Sequence, residues 1–390
     1  MLNKVPAPFQ SRKSRSAGKQ SIIFLLSFFT SLVLFGDKTI SSEKPNTNTV
    51  QLAILLDTSN SMDGLIEQTK TQLWKIVNEM ARSKRESIAI SLYVALYEYG
   101  NDVLSSDEGY VRLITPLTND LDKISEELFK LKTNGGSEYC GTVISEAIKD
   151  LKWTKSTDDY KVIFIAGNEP FNQGDKDFKE ACKSAISKGI IVNTIYCGSY
   201  DEGVQTNWKD GADLADGSYI NIDQNQEVVH IATPFDDELV QLGQKLNETY
   251  IAYGYAGDEL KKRQEEQDTN AGSVAPSVLV ERTVTKSGKQ YKNESWDLVD
   301  AEKEGVEIAD IPKDQLPKEM QNMTTEEQKA YVEKKAKERE EYQIQINELD
   351  KQRRDYITQK LAENPEENTL DAAMLKIIRE QASNKNYKFE

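Results

Sequence analysis

The chain has 390 residues, of which 38% are hydrophobic and 29% charged, and its formal net charge is −16. That length accommodates one large domain with additions, or two domains. The acidic balance, with no basic patch after residue 20, excludes general phosphate-backbone binding, and no nucleic-acid partner is expected.

The first residues differ in kind from the rest. Lys4, Arg12, Lys13, Arg15 and Lys19 precede the apolar run SIIFLLSFFTSLVLFG, Ser21 to Gly36. A basic segment followed by about fifteen apolar residues is the pattern of a secretory signal. The run is short for a membrane span, which takes about 20 residues, and no A-x-A cleavage site follows it. A cleaved signal and an uncleaved N-terminal membrane anchor both stay open. In either case the remainder is exported: periplasmic, envelope-associated or secreted. In an oxidising compartment two of Cys140, Cys182 and Cys197 could pair and leave one over. Three buried thiols are the alternative, and the sequence does not choose a pairing.

Residues 37–48 are polar and read as a linker, so 1–44 is set apart as signal or anchor and linker. Gln51 to Leu56 is a strand. Asp63 to Arg82 has helical spacing, with Leu65, Leu73, Ile76, Val77 and Met80 on one stripe. Strands follow over 87–100 and 109–117, then helices over Asp120–Leu131 and Gly141–Leu151. YKVIFIAG (160–167) is a buried strand. Asp175 to Lys188 is a helix with Gly189 at its C-terminal cap. Strands over 190–198 and 217–222 lead to a helix from Asp236 to Tyr250. Most strand runs are continuously apolar rather than alternating. The expected fold class is therefore α/β: a doubly wound, mainly parallel sheet with helices on both faces, over residues 45–255.

The texture changes beyond that point. DELKKRQEEQDTNAGSVAPS is charged and then loose, and 256–323 reads as a linker with a small satellite unit. Thr324 to Ala362 reads as one long helix, opened by a capping box of Thr324 and Glu327. Tyr342, Ile346, Leu349 and Tyr356 give a fragment of a heptad seam. Residues 324–390 thus read as a helical tail, either a coiled coil that joins copies of the chain or a solvated helix with one packed stripe. Pro365 ends the long helix, and Leu370, Met374, Ile377 and Ile378 mark a last short one.

The chemistry concentrates in QLAILLDTSNSMDG, which begins at Gln51. A buried strand ends on Asp57, and hydroxyls follow at Ser59 and Ser61. In a parallel sheet, ligands bind at the carboxyl ends of strands. A carboxylate with two hydroxyls on one strand-end loop is a hard-oxygen cluster suited to Mg²⁺. Two neutral ligands and one charge leave such a cation able to accept a carboxylate from a partner. The bland alternative is that Asp57 closes a turn or caps the next helix.

Asp57-Thr58-Ser59-Asn60-Ser61-Met62, after its apolar strand, resembles the D-x-S-x-S motif of von Willebrand factor type A domains, relatives of integrin I domains. The resemblance covers residues 48–255. It implies a metal-ion-dependent adhesion site. The family's second loop carries a threonine in a GGT context; here TNGGSEYCG places Ser137 there, with Thr133 as a weaker candidate. Its third loop carries an aspartate. Here the strand ends IFIAGNEPFNQG, which puts Gly167 or Asn168 at that place and Glu169 one residue on. The metal ligands expected from the resemblance are therefore Asp57, Ser59, Ser61, Ser137 and Asn168. The cofactor is Mg²⁺, Mn²⁺ or Ca²⁺, held weakly for want of the third-loop aspartate.

The expected function is divalent-metal-dependent binding of a protein ligand that presents a carboxylate. The alternative is an envelope scaffold with a degenerate metal site, oligomerising through its tail. No catalytic activity is expected. His230 is the only histidine and lies in an apolar context. Cys140 beside Glu138, read as an exposed loop, lacks a base and an orienting group. Phosphate-loop, dinucleotide, zinc and nucleophile-elbow patterns are missing from the sequence.

Overall fold

The computed structural model describes residues 48–85, 88–222, 231–363 and 370–389, without the side chains of 363 and 370–373. The signal or anchor segment, His230 and Pro365 lie outside the described residues.

The chain enters on β1 (Thr49–Asp57) and continues through α1 (Asp63–Ala81), β2 (Ser83–Arg85), β3 (Ile88–Ala89), β4 (Ser91–Tyr99) and β5 (Val111–Thr118). It then forms α2 (Leu121–Lys130), α3 (Cys140–Asp150), β6 (Tyr160–Gly167), α4 (Phe178–Ser187) and β7 (Ile190–Cys197). The short α5 (Tyr200–Gln205) and α6 (Trp208–Asp213) lead to β8 (Tyr219–Ile222) and α7 (Asp236–Asn247). Six strands form one sheet in the order β5-β4-β1-β6-β7-β8. All neighbours are parallel except β4 and β5. The parallel, doubly wound architecture read from the continuous strand runs is the one observed.

Alternate residues of a strand face opposite sides of the sheet, and β1 shows how the two layers are filled. Leu52, Ile54 and Leu56 join a core with Trp74 and Val77 of α1 and Leu239 and Leu242 of α7. Ala53 and Leu55 join a second core with Val143 and Ile144 of α3, Ala181 of α4 and Trp208 of α6. Asp57 has the parity of Ala53 and Leu55. Its carboxylate is therefore delivered on the α3 side, at the end of the central strand.

The C-terminal region continues through α8 (Gly257–Val274), α9 (Pro276–Ser287), α10 (Leu298–Lys303), α11 (Thr325–Glu363), α12 (Leu370–Ser383) and β9 (Lys388–Phe389). The stretch expected to be charged and loose is thus two helices. Their buried face is partly polar, which hides it from a hydrophobic count. Gln264 donates to Tyr291 Oη at 3.0 Å, and Gln267 accepts from Ser125 at 2.9 Å. Pro276 opens α9 at the position where its missing N–H costs nothing. The capping box of α11 forms as expected: Thr324 N–H donates to Glu327 Oε2 at 2.8 Å, and Glu327 N–H donates to Thr324 Oγ1 at 3.3 Å.

Residues 47–390 make one compact unit, so the expected divisions after 255 and 323 are not divisions of the packing. Val278, Val280 and Val284 of α9, Ile346 of α11 and Ile377 and Ile378 of α12 lie in the same core as β1 and α1. The apolar stripe of α11 is spent inside this unit: Tyr342 and Leu349 pack on that core, and Tyr356 meets Phe235 edge-on. Ile251, Leu298, Val299, Ile308, Leu316, Met320 and Val332 form a smaller cluster, while Val278, Tyr291 and Trp296, from the stretch expected to make a satellite unit, lie in the main core. β9 pairs with β2, and the buried Tyr387 donates to Thr49 O at 3.1 Å. The C-terminus is thereby fastened beside the first strand. Among the described residues no helix is long and apolar enough to cross a membrane.

Candidate metal site at the carboxyl edge of the sheet

β1 lies between β4 and β6, and successive strands spread outward from it in both directions. The crevice beyond its carboxyl end is the position at which doubly wound sheets bind ligands. Three loops close on it. Asp57 is fully buried, and its Oδ1 accepts the Ser59 N–H at 2.8 Å. This folds the first loop back over the strand end. Thr58 N–H donates to Tyr99 O at 2.9 Å, and Asn134 N–H donates to Thr58 O at 2.9 Å. These bonds tie the first loop to the end of β4 and to the glycine-rich second loop.

The approach of these loops needs glycine. Gly100 has φ of 77°, and a Cβ there would sit 2.8 Å from both Asp57 Oδ1 and Glu138 Cγ. At Gly136 a Cβ would stand 2.4 Å from Gly100 O. At Gly167 a side chain would meet Tyr99 Oη at 2.5 Å and Asp57 Oδ2 at 3.1 Å. The Tyr99 hydroxyl is fixed there by donation to Ala166 O at 2.9 Å. Of the two positions open for the third-loop ligand, Gly167 is therefore closed to any side chain, and Asn168 is the one that reaches the site.

Asn168 donates through Nδ2 to Ser61 Oγ at 3.1 Å, and Ser61 Oγ lies 3.3 Å from Ser59 Oγ. Four of the five expected residues thus converge: Asp57, Ser59, Ser61 and Asn168. Ser137 is half-buried on the second loop and, among the described residues, makes no hydrogen bond to the other four. Thr133 makes no hydrogen bond to those residues and instead donates to Asp63 Oδ1 at 2.6 Å.

The residue that the sequence reading passed over is Glu138. It is 3% exposed, and its carboxylate lies against Asp57 and Ser59. Its Oε2 also accepts the Glu169 N–H at 3.2 Å. Burial, and next the adjoining Glu138, push the Asp57 carboxyl well above the ordinary carboxylate range; burial raises Glu138 as well. Two such carboxylates in contact hold a proton between them or a cation. The signal available in the sequence was position alone: Glu138 directly follows the Gly-Gly-Ser expected to form the second loop.

The donor set fits a small, oxygen-seeking divalent cation. Asp57 Oδ2 and Asn168 Oδ1 are buried without a hydrogen-bond partner, although buried polar atoms are ordinarily satisfied. Glu138 and the paired serine hydroxyls lie on the same crevice. A site made of carboxylate clusters alone is not what this is: among the described residues, no three His, Cys, Asp or Glu side chains group to hold a metal. Cys140 is not on an exposed loop. It opens α3, fully buried, with Sγ 3.8 Å from Tyr99 Oη, and burial pushes its thiol well above the ordinary value. Cys182 and Cys197 are also buried and free.

A mainly parallel sheet flanked by helices, with an oxygen-lined crevice where its strand order diverges, defines a doubly wound α/β domain. Residues 51–213 match the family model of the von Willebrand factor type A domain, and the chain carries a domain of that family. Solved structures similar to the chain include BatB from Bacteroides thetaiotaomicron, at 18% identity over 45% of this chain and 90% of that one, with a TM-score of 0.34. Another is the SpRpn10 VWA domain, at 16% identity over 46% and 99%, with a TM-score of 0.34. Proximal thread matrix protein 1 from the mussel byssus is a third, at 12% over 45% and 42%, with a TM-score of 0.33. No curated protein matches the chain.

Proposed function

We propose that the chain is an exported binding protein whose von Willebrand factor type A domain takes up a protein ligand through a divalent cation. The basic segment and apolar run before residue 37 support export. The observation that carries the binding reading is Asp57 Oδ2: a wholly buried carboxylate oxygen without a donor, beside a second carboxylate and two hydroxyls. A cation there satisfies at one stroke the charges and lone pairs that the chain leaves open. Asp57, Glu138, Ser59, Ser61 and Asn168 would hold it. When bound, Mg²⁺, Mn²⁺ or Ca²⁺ supplies a Lewis-acidic face to which a partner's carboxylate binds. The chain's own part is to fix these oxygens on rigid strand ends and keep water from the buried side. The reading is of binding rather than catalysis, because the cluster contains no activated nucleophile.

The test is calorimetric titration of the full chain with Mg²⁺ and Mn²⁺ beside Asp57→Ala. Binding in the micromolar to millimolar range that vanishes in the variant is expected. A parent chain that binds neither ion would overturn the metal-dependent reading.

A further inference from the structure

A carboxylate arriving at this edge meets a field that the loop motif alone does not announce. A divalent ion seated between Asp57 and Glu138 is already matched in charge by those two side chains. The exposed groups around them are acidic too. Asp63 follows the first loop and is held by Thr133. Asp102 stands over the glycine-rich loop, where a Cβ on Gly135 would lie 3.5 Å from its Oδ2. Glu169 closes the third side next to Asn168, its amide bound to Glu138. Farther out, Asp175 and Asp177 after β6 and Asp201 and Glu202 in the first turn of α5 add more carboxylates. Among the described loops of this edge the basic residues are Lys132 and Lys176, and Lys176 is engaged by Glu146 of α3 at 2.5 Å. The whole chain holds 65 acidic and 49 basic residues, so composition alone does not produce loops in which acids outnumber bases several-fold. At the centre of this rim Asp57, wholly buried, turns its unpartnered Oδ2 toward the third loop. A buried carboxylate at its centre sets this rim apart from a merely solvated acidic surface.

We propose that the partner docking on this edge is a basic protein surface, one that presents its carboxylate to the cation from within a frame of lysine or arginine side chains. The proposal rests on the metal-dependent reading for the central contact, but the frame is specified by Asp63, Asp102 and Glu169. A bare carboxylate would place a further negative charge beside an ion that Asp57 and Glu138 already neutralise, inside a ring of three more. The Debye length at physiological salt is about 8 Å, and charges closer than this are not screened from one another. Lysine or arginine around the carboxylate turns the same field into attraction and speeds encounter.

The experiment uses the full chain and three sets of short fluorescent peptides that share a central aspartate. One set is framed by lysine and arginine, one by serine and glycine, one by glutamate. Anisotropy is read with Mg²⁺ and with EDTA, at low and high salt, and Mg²⁺ affinity is measured separately by calorimetry. The basic-framed peptide is expected to bind at least tenfold more tightly than the neutral one and to weaken with salt. In Asp63→Asn/Asp102→Asn/Glu169→Gln that preference is expected to shrink below threefold. Equal or better binding of the neutral or acidic frame overturns the proposal, as does a preference that survives the triple variant, or no binding of any peptide. If Mg²⁺ binds and the frame makes no difference, the inference fails while the metal reading stands. If Mg²⁺ does not bind but the basic peptide does, with the preference lost in the triple variant, the metal reading fails and the basic-surface assignment stands.

Discussion

At the scale of single residues, the site turns on two carboxylates that share one crevice. Asp57 was legible in the sequence because an apolar strand rarely ends on a buried acid followed by hydroxyls at steps of two. Glu138 was not, because its role depends on how the second loop crosses Gly100, and that crossing is set by backbone approach rather than by local pattern. Glu138→Gln separates its two effects. Without metal the two buried carboxyls coexist at neutral pH only by binding a proton, and the neutral amide removes that requirement, so melting in EDTA is expected at a higher temperature than the parent. The same change removes an anionic oxygen from the crevice, so Mg²⁺ affinity by calorimetry is expected to fall at least tenfold. A variant that melts lower and binds Mg²⁺ as the parent does would assign Glu138 to structure alone. Ser137→Ala offers the contrast. Ser137 makes no hydrogen bond to the converging residues, and its replacement is expected to change Mg²⁺ affinity less than threefold. Loss on the scale of Asp57→Ala would show that the hydroxyl enters the site after all.

At the scale of elements, periodicity found what buries carbon and missed what buries charge. The strands and the α1 stripe appear in the sequence as apolar runs at spacings of one or 3.6, and α11 announces itself by its capping box. α8 and α9 gave no such signal, because their inner faces carry Gln264, Gln267, Arg282 and Lys286. Arg282 is fully buried over the Trp74 ring, with its Cζ 4.9 Å from the centroid. It donates to Asp122 Oδ1 of α2 at 2.8 Å and to Asp268 Oδ1 of α8 at 2.6 Å. Arg282→Met leaves Asp122 without its buried cation and takes one of two from Asp268. Urea unfolding is expected to show a loss of about 3–5 kcal/mol, the usual cost of breaking a buried ion pair from one side. A loss under 1 kcal/mol would mean the network relaxes around the change.

The same network sets an acid limb. Burial alone would raise Asp268, but the Lys286 and Arg282 cations outweigh it and bring its carboxyl from an ordinary 3.8 down to about 2. A depressed folded value means that the contribution is complete above about pH 4 and disappears as pH falls through about 2. One pKa unit is about 1.4 kcal/mol, so roughly 2 kcal/mol of stability is at stake over that window. Asp268→Asn is expected to lower stability at neutral pH and to flatten its decline between pH 4 and 2, followed by urea midpoints at each pH. An unchanged slope would place the acid sensitivity elsewhere.

At the scale of the whole molecule, the region beyond residue 255 completes the domain instead of trailing from it. The sequence could not show this, since a helix stripe looks the same whether it faces another chain or its own sheet. Four arginine-centred contacts fasten the region. Arg282 holds α2, and Arg353 joins Asp236 of α7 to Glu281 of α9 at 2.9 and 2.6 Å. Arg339 donates to Thr249 O at 2.8 Å and to Asp297 Oδ2 at 2.7 Å. Arg379 donates to Glu79 of α1 at 3.1 Å. Beneath them, the α7 side chains Leu239, Leu242 and Leu246 are buried in one core with α9 and α11. Burying each such leucine stabilises the fold by roughly 1.5–3 kcal/mol, comparable in sum with the whole net stability of a domain, about 5–15 kcal/mol. A chain cut after residue 255 is therefore expected to be insoluble or to lack a cooperative melt. The intact chain is expected to unfold in a single urea transition. Trp74 and Trp208 report the sheet layers, while Trp296, stacked 5.7 Å from Tyr250, reports the C-terminal side. Variants that keep Trp296 as the only tryptophan, or replace Trp296 alone, are expected to give coincident midpoints. Two separated transitions, or a soluble cooperative fragment ending at 255, would make the C-terminal region a separate domain. The long helix would then be free, as the sequence allowed, to join one copy of the chain to another.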